Sequence, residues 1–268
     1  MPSDKPYAKL IEAVGRVAAL ATWREKERSL KPLDDKMEKA LARVFARQGK
    51  IFLREFASAA NLFRVKESAA ADQAVAQAFA TAEYETRAEL VAAYEIPATA
   101  YATGRVLAVG ADFKLVLPQA LEWARANAAA KVAAVNDYTR SEINRLVNAG
   151  LEEGASPDKV ARRIKGKFDE FSVRQPQQHI HSRAHLIAVT ENRMAYEEGN
   201  LDAMRGYAAE LGTSFEKAWM TVGSDACDDC LINEEEGWIP MEESFQDGSD
   251  VPPSHPACRC TTEYRMVI

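Results

Sequence analysis

Four cysteines near the end of the chain constrain its fold more than any other feature. They form a C-x-x-C pair, Cys227 and Cys230, and a C-x-C pair, Cys258 and Cys260, with His255 three residues before the second pair. Each pair lies within one tight turn, and the loop between the pairs can bring their soft ligands around one tetrahedral ion. The spacing therefore predicts a structural Zn²⁺ site that holds a small C-terminal module together.

The ligand set of this site is open from the sequence. Four thiolates would leave the ion no open position, which is typical of a structural site. His255 could instead replace Cys258 or Cys260, because ligands in a C-x-C pair are more tightly spaced than those in C-x-x-C. Two disulfides are the alternative to a metal, and four cysteines allow three pairings.

Length and composition exclude some classes of protein. The 268 residues are 47% hydrophobic and have a net charge of −6, which argues against a protein that coats DNA through its overall field. No run approaches the ~20 apolar residues of a membrane span, and no apolar signal segment follows Met1. We therefore expect no membrane partner, and folding in a reducing cytoplasm where thiols meet metal before oxidant.

Apolar residues at helical spacing dominate most of the chain. Short β-prone segments follow near the C-terminus, at 217–222, 238–239 and 261–268. The predicted fold is mainly α, with a helical N-terminal and central region followed by a small α+β C-terminal module that has a short antiparallel sheet and a Cys/His knot. Helices are predicted over residues 5–31, 34–56, 69–95, 101–109, 118–146, 157–171 and 183–211, the last with a candidate break at Gly199.

Proline residues and polar stretches set the predicted boundaries. Pro32 is predicted to end the first helix, and Asp34 and Asp35 suit the positive N-terminal end of the second. Residues 172–181 are polar, lack periodicity and are predicted to be a linker. The predicted domains are an N-terminal helical region (1–117), a central helical region (118–175) and the C-terminal module (176–268).

Two segments have unbalanced charge. Residues 225–250 contain ten acids and no Lys or Arg, and are predicted to be a solvated loop that does not hold nucleic acid. Residues 16–54 contain eleven Lys and Arg against five acids. This excess indicates either a solvated helix face or a surface that contacts DNA or an acidic protein partner. The candidate contact residues are Arg16, Arg24, Lys36, Arg43, Arg47, Lys50 and Arg54.

From about Pro118 onward the chain resembles the phage Mu F-like minor head proteins, also called phage head morphogenesis proteins. The most specific motif is H-P-A-C-R-C at 255–260 following D-A-C-D-D-C at 225–230. The chain has Val189 where the family usually has Arg. Arg183-Ala184, I-A-V-T-E at 187–191, Ala195, Gly199 and Trp219 precede these motifs in the family's order.

The resemblance implies a low-copy virion protein that is incorporated inside the procapsid near the portal and assists head assembly and DNA packaging or ejection. Its implied partners are the portal protein, a capsid or scaffolding protein and packaged DNA. Its implied location is the inside of the head, and the host cytoplasm during assembly.

Two other functions compete with this one. The first is a DNA-binding virion protein that uses the basic N-terminal helices. The second is an enzyme similar to ADP-ribosyltransferases, with Glu191 or Glu197 as the acid. No phosphate-cradling glycine loop accompanies those residues, so we expect no enzymatic activity and predict no catalytic residue.

Overall fold

The computed structural model describes residues 5–57, 68–109, 113–172, 182–222 and 226–267. Within them the chain is mainly helical and ends in a small antiparallel sheet, which confirms the predicted fold class. The helices are α1 (Lys5–Ala57), α2 (Ser68–Tyr94), α3 (Pro97–Val109), α4 (Phe113–Glu152), α5 (Pro157–Ser172), α6 (Arg183–Leu211) and α7 (Asp228–Glu235), and the strands are β1 (Phe215–Met220), β2 (Ile239–Pro240) and β3 (Thr261–Met266).

Helix α1 passes through Pro32, so the prediction that this proline ends a helix is wrong. A proline inside a helix removes one hydrogen bond and costs about 3 kcal/mol. Here the residues on both sides are buried, Leu30 and Met37 completely so. Their burial offsets that cost, because most helical stability in a protein comes from tertiary packing.

Pro118 is a poor guide to a helix boundary as well, whereas α2 ends before Pro97 as predicted. Pro118 lies inside α4, which begins at Phe113 instead. Pro97 ends the run of α2 and is also the first residue of α3, four residues before the predicted start. The start of α5 is as predicted: the Ser156 hydroxyl accepts a hydrogen bond from the backbone N–H of Lys159 at 3.3 Å.

The described residues divide into two compact units, each built from separate stretches of chain. The cysteine unit comprises residues 1–34, 99–120 and 189–268, and the helical unit comprises residues 35–98 and 121–188. The three contiguous domains expected from the sequence stay a prediction about which stretches fold independently. Residues 173–181 of the predicted linker lie outside the part of the chain that the structure describes.

Aromatic rings form the core of the helical unit. Phe52 of α1 is fully buried and contacts Phe56, Phe79 of α2 and Phe168 of α5, with ring centroids 5.4–6.2 Å apart. Gly49 lies beneath the ring of Phe168, where an added Cβ would lie 2.7 Å from its Cγ. The apolar stripe read from the sequence therefore becomes the core of this unit.

A buried polar network crosses the same core. The fully buried Gln48 side chain donates to the Thr86 hydroxyl at 3.0 Å and to the Asn136 side-chain oxygen at 3.3 Å. These bonds join α1, α2 and α4. Because a buried N–H group without a partner would be costly, these two bonds favour the observed register of the three helices.

In the cysteine unit, α3 and α6 cross with their backbones in contact. A Cβ at Gly104 would lie 2.1 Å from the Tyr196 carbonyl oxygen, and one at Gly199 would lie 2.1 Å from the Tyr101 carbonyl oxygen. The Tyr101 hydroxyl also bonds to Asp202 beside the crossing. Helix α6 continues through Gly199, so this residue is a contact point with α3 and not the helix break that the sequence suggested.

The sheet has the strand order β2-β1-β3, with both pairings antiparallel. Strand β1 pairs along its whole length with β3, from Phe215 opposite Met266 to Met220 opposite Thr261. Strand β3 follows directly after Cys260, so the sheet fixes where the second cysteine pair lies. The predicted antiparallel sheet is confirmed.

Candidate metal centre

The first cysteine pair lies at the start of helix α7. Cys227 is the residue before the helix, with extended backbone, and its carbonyl accepts the Leu231 N–H at 3.0 Å. Cys230 lies in the first turn and is fully buried. Asp228 and Asp229 occupy the same turn, where carboxylates are favourable because the helix N-terminus is positive.

The second ligand arm is the turn from His255 to Cys260. The Cys258 N–H donates to the His255 carbonyl at 3.2 Å. Ala257 has φ of 61°, a left-handed conformation that is unusual for a residue other than glycine. Its N–H donates to the Thr190 hydroxyl of α6 at 3.0 Å, a bond that helps to hold this turn.

The first arm, Cys227–Cys230, and the second arm, His255–Cys260, meet around Cys230. The ligand atoms of Cys227, Cys230 and His255 lie within 4.8 Å of one another, and so do the thiol sulfurs of Cys230, Cys258 and Cys260. All five residues predicted from the sequence are thus brought together in two overlapping groups that could hold a metal. Cys230 is common to both groups.

The donor atoms fit a tetrahedral metal with soft ligands. The Sγ atoms of Cys230 and Cys258 are 3.7 Å apart, close to the roughly 3.8 Å edge of a tetrahedron whose metal–sulfur bonds are about 2.3 Å. The same distance is far too long for a disulfide, and all four cysteines are free thiols. The His255 Nδ1 lies 3.0 Å from the Pro256 carbonyl, which suits a tautomer whose Nε2 is free to bind metal.

The thiols share negative charge unequally. Hydrogen bonding from the Cys260 thiol, aided by Cys230 and by His255, lowers the pKa of Cys258 to about 5. Burial raises the pKa of Cys230 to about 12, and the pKa of Cys260 is raised by its hydrogen bond to Cys258 and by burial. Among the three buried thiols, negative charge is therefore most favourable on Cys258.

An apolar shell surrounds the thiols. Trp219, Ile239 and Phe245 pack with the buried cysteines in one cluster, and the rings of Trp219 and Phe245 meet edge to face at 5.1 Å. Excluding water from a metal site in this way strengthens electrostatic attraction between a cation and its thiolates. The shell is small, so a metal would add much to the stability of this unit.

Polar side chains of α1 and α6 form hydrogen bonds with the second arm and the residue that follows it. Lys26 donates to the Cys260 carbonyl at 2.9 Å and to Glu197 at 2.5 Å, and the Trp23 indole N–H donates to the Arg259 carbonyl at 3.1 Å. Glu197 also accepts the Thr261 hydroxyl at 2.7 Å. The sequence assigns no role to Lys26 or Trp23 because their partners are more than 170 residues away along the chain.

Comparison with known proteins gives one family match, and it includes the candidate metal centre. A family model described as Phage Mu protein F like protein matches residues 141–263, which include every candidate metal ligand. Over these residues, a little under half of the chain, the protein is similar to the phage Mu F-like family. Searches of curated proteins and of solved structures gave no match.

The similarity of this segment to the Mu F-like family is consistent with a phage head morphogenesis protein. The family is a structural one rather than a family of enzymes, and it implies a location in the virion and contacts with other head components. Among the described residues, no helix has a stretch both long and apolar enough to cross a bilayer.

Val189 lies in α6, where the family usually has Arg. Val189 is buried, and its carbonyl accepts a hydrogen bond from Arg193.

The two candidate catalytic acids also lie in α6. Glu197 is fully buried and bonded to Lys26 and Thr261, so no substrate reaches it. Glu191, the other, is partly exposed on the same helix.

Arg183 of the family motif lies in the helical unit among aromatic rings. Its guanidinium lies 4.2 Å from the ring centroid of Tyr138 and 5.0 Å from that of Phe171, and it donates to the Thr139 hydroxyl at 2.6 Å. Burial lowers the pKa of Arg183 to about 10. Cation–π contact stabilises the charge in this setting, so Arg183 anchors the first turn of α6.

Asp34 was predicted to start a helix, and this prediction is wrong. It lies inside α1, buried, and accepts hydrogen bonds from Asn192 at 2.9 Å and from Arg193 at 3.1 Å. Arg193 also bonds to Glu27 of α1 at 2.6 Å. Burial raises the pKa of Asp34, and the residue joins α1 to α6 in the cysteine unit.

Residues 226–250 of the acidic stretch are more ordered than the predicted solvated loop. They contain α7 and hydrogen-bonded turns. Glu234 accepts the Thr221 hydroxyl at 2.6 Å, and Ser244 donates to Asp250 at 2.7 Å. The buried Lys217 of β1 donates to the Asp250 carbonyl at 2.8 Å. Several of these acids therefore support the fold as well as facing solvent.

Some basic side chains of α1 are buried or paired with acids rather than free at the surface. Lys26, counted in its positive excess, is buried against Glu197. Arg47 pairs with Glu89 of α2, and Arg54 pairs with Glu55 and Glu85. The side chain of Arg16 lies outside what the structure describes. The candidate contact residues with exposed side chains are Arg24, Lys36, Arg43, Arg47, Lys50 and Arg54.

Proposed function

We propose that the protein is a minor capsid protein, incorporated in low copy inside the procapsid near the portal, where it assists head assembly and DNA packaging or ejection. The observation that carries this proposal is the match of residues 141–263 to the Mu F-like family. The proposed partners are the portal protein and a capsid or scaffolding protein.

The test is the composition of assembling heads. Procapsids isolated from infected cells should contain this protein at a copy number far below that of the coat protein, and the portal subunit should co-purify with the full chain. Absence of the protein from procapsids, or a copy number close to that of the coat protein, contradicts the proposal. A procapsid reconstruction without imposed symmetry then tests the position near the portal.

The proposed cofactor is a structural Zn²⁺, about one per chain, held by four of Cys227, Cys230, His255, Cys258 and Cys260. The support is the convergence of the two arms on Cys230 and the Sγ–Sγ distance of 3.7 Å. A site with four protein ligands has no open position, so the ion would stabilise the unit rather than act on a substrate.

Metal analysis of the purified chain tests this site. We expect about one zinc per chain, lost in Cys230→Ser and retained in a control that changes exposed Ser244 to Ala. Finding no zinc, with a disulfide detected by non-reducing mass spectrometry, contradicts it. The Co²⁺ form separates the ligand sets, since thiolate-to-metal charge-transfer absorption falls with each thiolate lost. Cys258→Ser and Cys260→Ser should each lower this absorption if four cysteines bind, whereas one of the two should leave it unchanged if His255 takes the place of that cysteine.

A second candidate function is contact with DNA through α1, and it rests on one observation. Lys36, Lys39, Arg43, Arg47, Lys50 and Arg54 are all exposed. At 3.6 residues per turn they lie within an arc of about 80°, along about 27 Å of helix. Phosphate groups of a nucleic acid backbone match such a stripe in charge and length.

Binding of duplex DNA at several salt concentrations tests this stripe. If four phosphates are contacted, log K should fall with log salt at a slope of about −4. Changing Lys36, Arg43 and Lys50 to Glu should abolish binding. The charge-matched control changes Lys159, Arg162 and Lys165 of α5 to Glu. An equal loss in both variants points to overall charge, and no binding at low salt excludes the function.

A further inference from the structure

The segment 257–262 contains two candidate ligands. Side chains from two helices of the cysteine unit form hydrogen bonds with its backbone. Trp23 and Lys26 of α1 donate to the carbonyls of Arg259 and Cys260. On α6, Thr190 accepts the N–H of Ala257. Three backbone groups in and beside the C-x-C pair are thus bonded to residues that lie elsewhere in the chain.

Lys26 is the centre of this arrangement. Only 1% of its surface is exposed, and its ammonium group donates to Glu197, which is also fully buried. Glu197 in turn accepts the Thr261 hydroxyl at 2.7 Å and the Thr262 N–H at 3.3 Å. The pair therefore binds the chain on both sides of the peptide bond that follows Cys260.

Such a buried ion pair needs a reason beyond stability. Desolvation of the two charges can exceed their attraction, so apolar side chains of similar size would often serve as well. What the pair provides is orientation, because it fixes one carbonyl, one hydroxyl and one N–H at defined positions. A C-x-C ligand pair requires this control, since its two sulfurs point to the same ion only in a restricted backbone conformation.

We propose that Lys26 is a positioning residue of the metal centre, which, through Glu197 and the Cys260 carbonyl, holds the Cys258–Cys260 turn ready to bind the ion. This inference rests on the proposed metal site. It makes metal affinity depend on the docking of α1 residues 23–30 in the cysteine unit. By linkage, metal binding stabilises that docking to the same extent.

The first test is the Zn²⁺ affinity of the full chain, measured by competition with a chromophoric chelator. Groups that orient metal ligands typically contribute 10- to 100-fold to affinity, and we expect Lys26→Met to weaken binding by about this factor. The matched control is Lys31→Met, an exposed lysine of the same helix, which should leave Zn²⁺ affinity unchanged. The Co²⁺ absorption spectrum at saturation should be the same in both, because no ligand is removed.

A second variant guards against misfolding, since Lys26→Met leaves Glu197 buried without its counter-charge. The double variant Lys26→Met with Glu197→Gln removes both charges and keeps an amide that can bond to Thr261. It should fold, as judged by circular dichroism, and still bind zinc about tenfold or more weakly. Affinity equal to that of the wild type overturns the inference.

The reciprocal measurement is hydrogen exchange in the unmodified protein. Zinc should slow amide exchange in residues 23–30 of α1 and leave α2 of the helical unit unchanged. Equal exchange in residues 23–30 with and without zinc also overturns the inference. A wild type that binds no zinc contradicts instead the metal site on which the inference rests, so the two failures are distinguishable.

Discussion

The two units of this protein are stabilised in different ways. The helical unit has a core of packed aromatic rings, with Phe52 and Phe79 fully buried at its centre. The cysteine unit has two small apolar clusters and places ionic groups in its interior, among them Lys26 and Glu197. The comparison teaches that the first unit depends on apolar volume, whereas the second depends on precise polar and sulfur contacts.

Metal removal gives the largest expected effect, and it acts on the cysteine unit. A structural zinc contributes on the order of 10 kcal/mol to a small domain at neutral pH. A chelator, or Cys230→Ser, should therefore raise hydrogen exchange in β1 and β3 while exchange in α2 and α5 stays slow. Equal loss of protection in all four elements would show that the two units do not differ in this way.

Cavity formation gives the next largest effect, and it acts on the helical unit. Replacing Phe52 by Ala removes a fully buried ring from among three others. Such changes cost about 3–5 kcal/mol. Denaturant melts should show the loss, and the zinc content should stay at the wild-type value. The control is Leu53→Ala on the same helix, a residue that is only partly buried.

The pH dependence of metal binding gives an effect of intermediate size. The pKa of Cys230 is raised to about 12 and that of Cys260 is raised as well, so both are protonated at neutral pH without metal. Metal binds thiolates, and each proton released makes affinity rise tenfold per pH unit. With two such thiols as ligands, zinc affinity should fall about 100-fold for each unit that the pH is lowered. Calorimetry in buffers of different ionisation enthalpy counts the protons, and release of none excludes both thiols as ligands.

Sequence patterns predicted what depends on local spacing. The C-x-x-C and H-x-x-C-x-C motifs include the five residues that lie together in the candidate metal centre. Amphipathic spacing located α2, α5 and α6 to within two residues. Both signals are local, because ligand spacing and helical periodicity are properties of short segments.

What failed depends on partners distant in the chain. Asp34 suits a helix N-terminus by composition, yet its partner Arg193 lies 159 residues away and keeps it in the interior of α1. Pro32 favours a helix end unless packing on both sides outweighs its cost. The role of Lys26 has no local signature, since a lysine in a basic helix is typical of a solvated face.

Glycine at the crossing of α3 and α6 supplies the smallest effect and the sharpest control. Gly199→Ala would place a Cβ 2.1 Å from the Tyr101 carbonyl oxygen, whereas Gly206→Ala, seven residues later on the same helix, meets nothing within 4 Å. Overpacking of this kind typically costs about 1–3 kcal/mol. In contrast, alanine at position 206 should stabilise the helix by about 0.5–1 kcal/mol, since glycine inside a helix is unfavourable. Thermal melts of the two variants should therefore shift in opposite directions. If Gly199→Ala left the melting temperature unchanged, the backbone contact would not fix the position of α6. The hydrogen bonds between Glu197 and β3 would then depend on the ion pair with Lys26 alone.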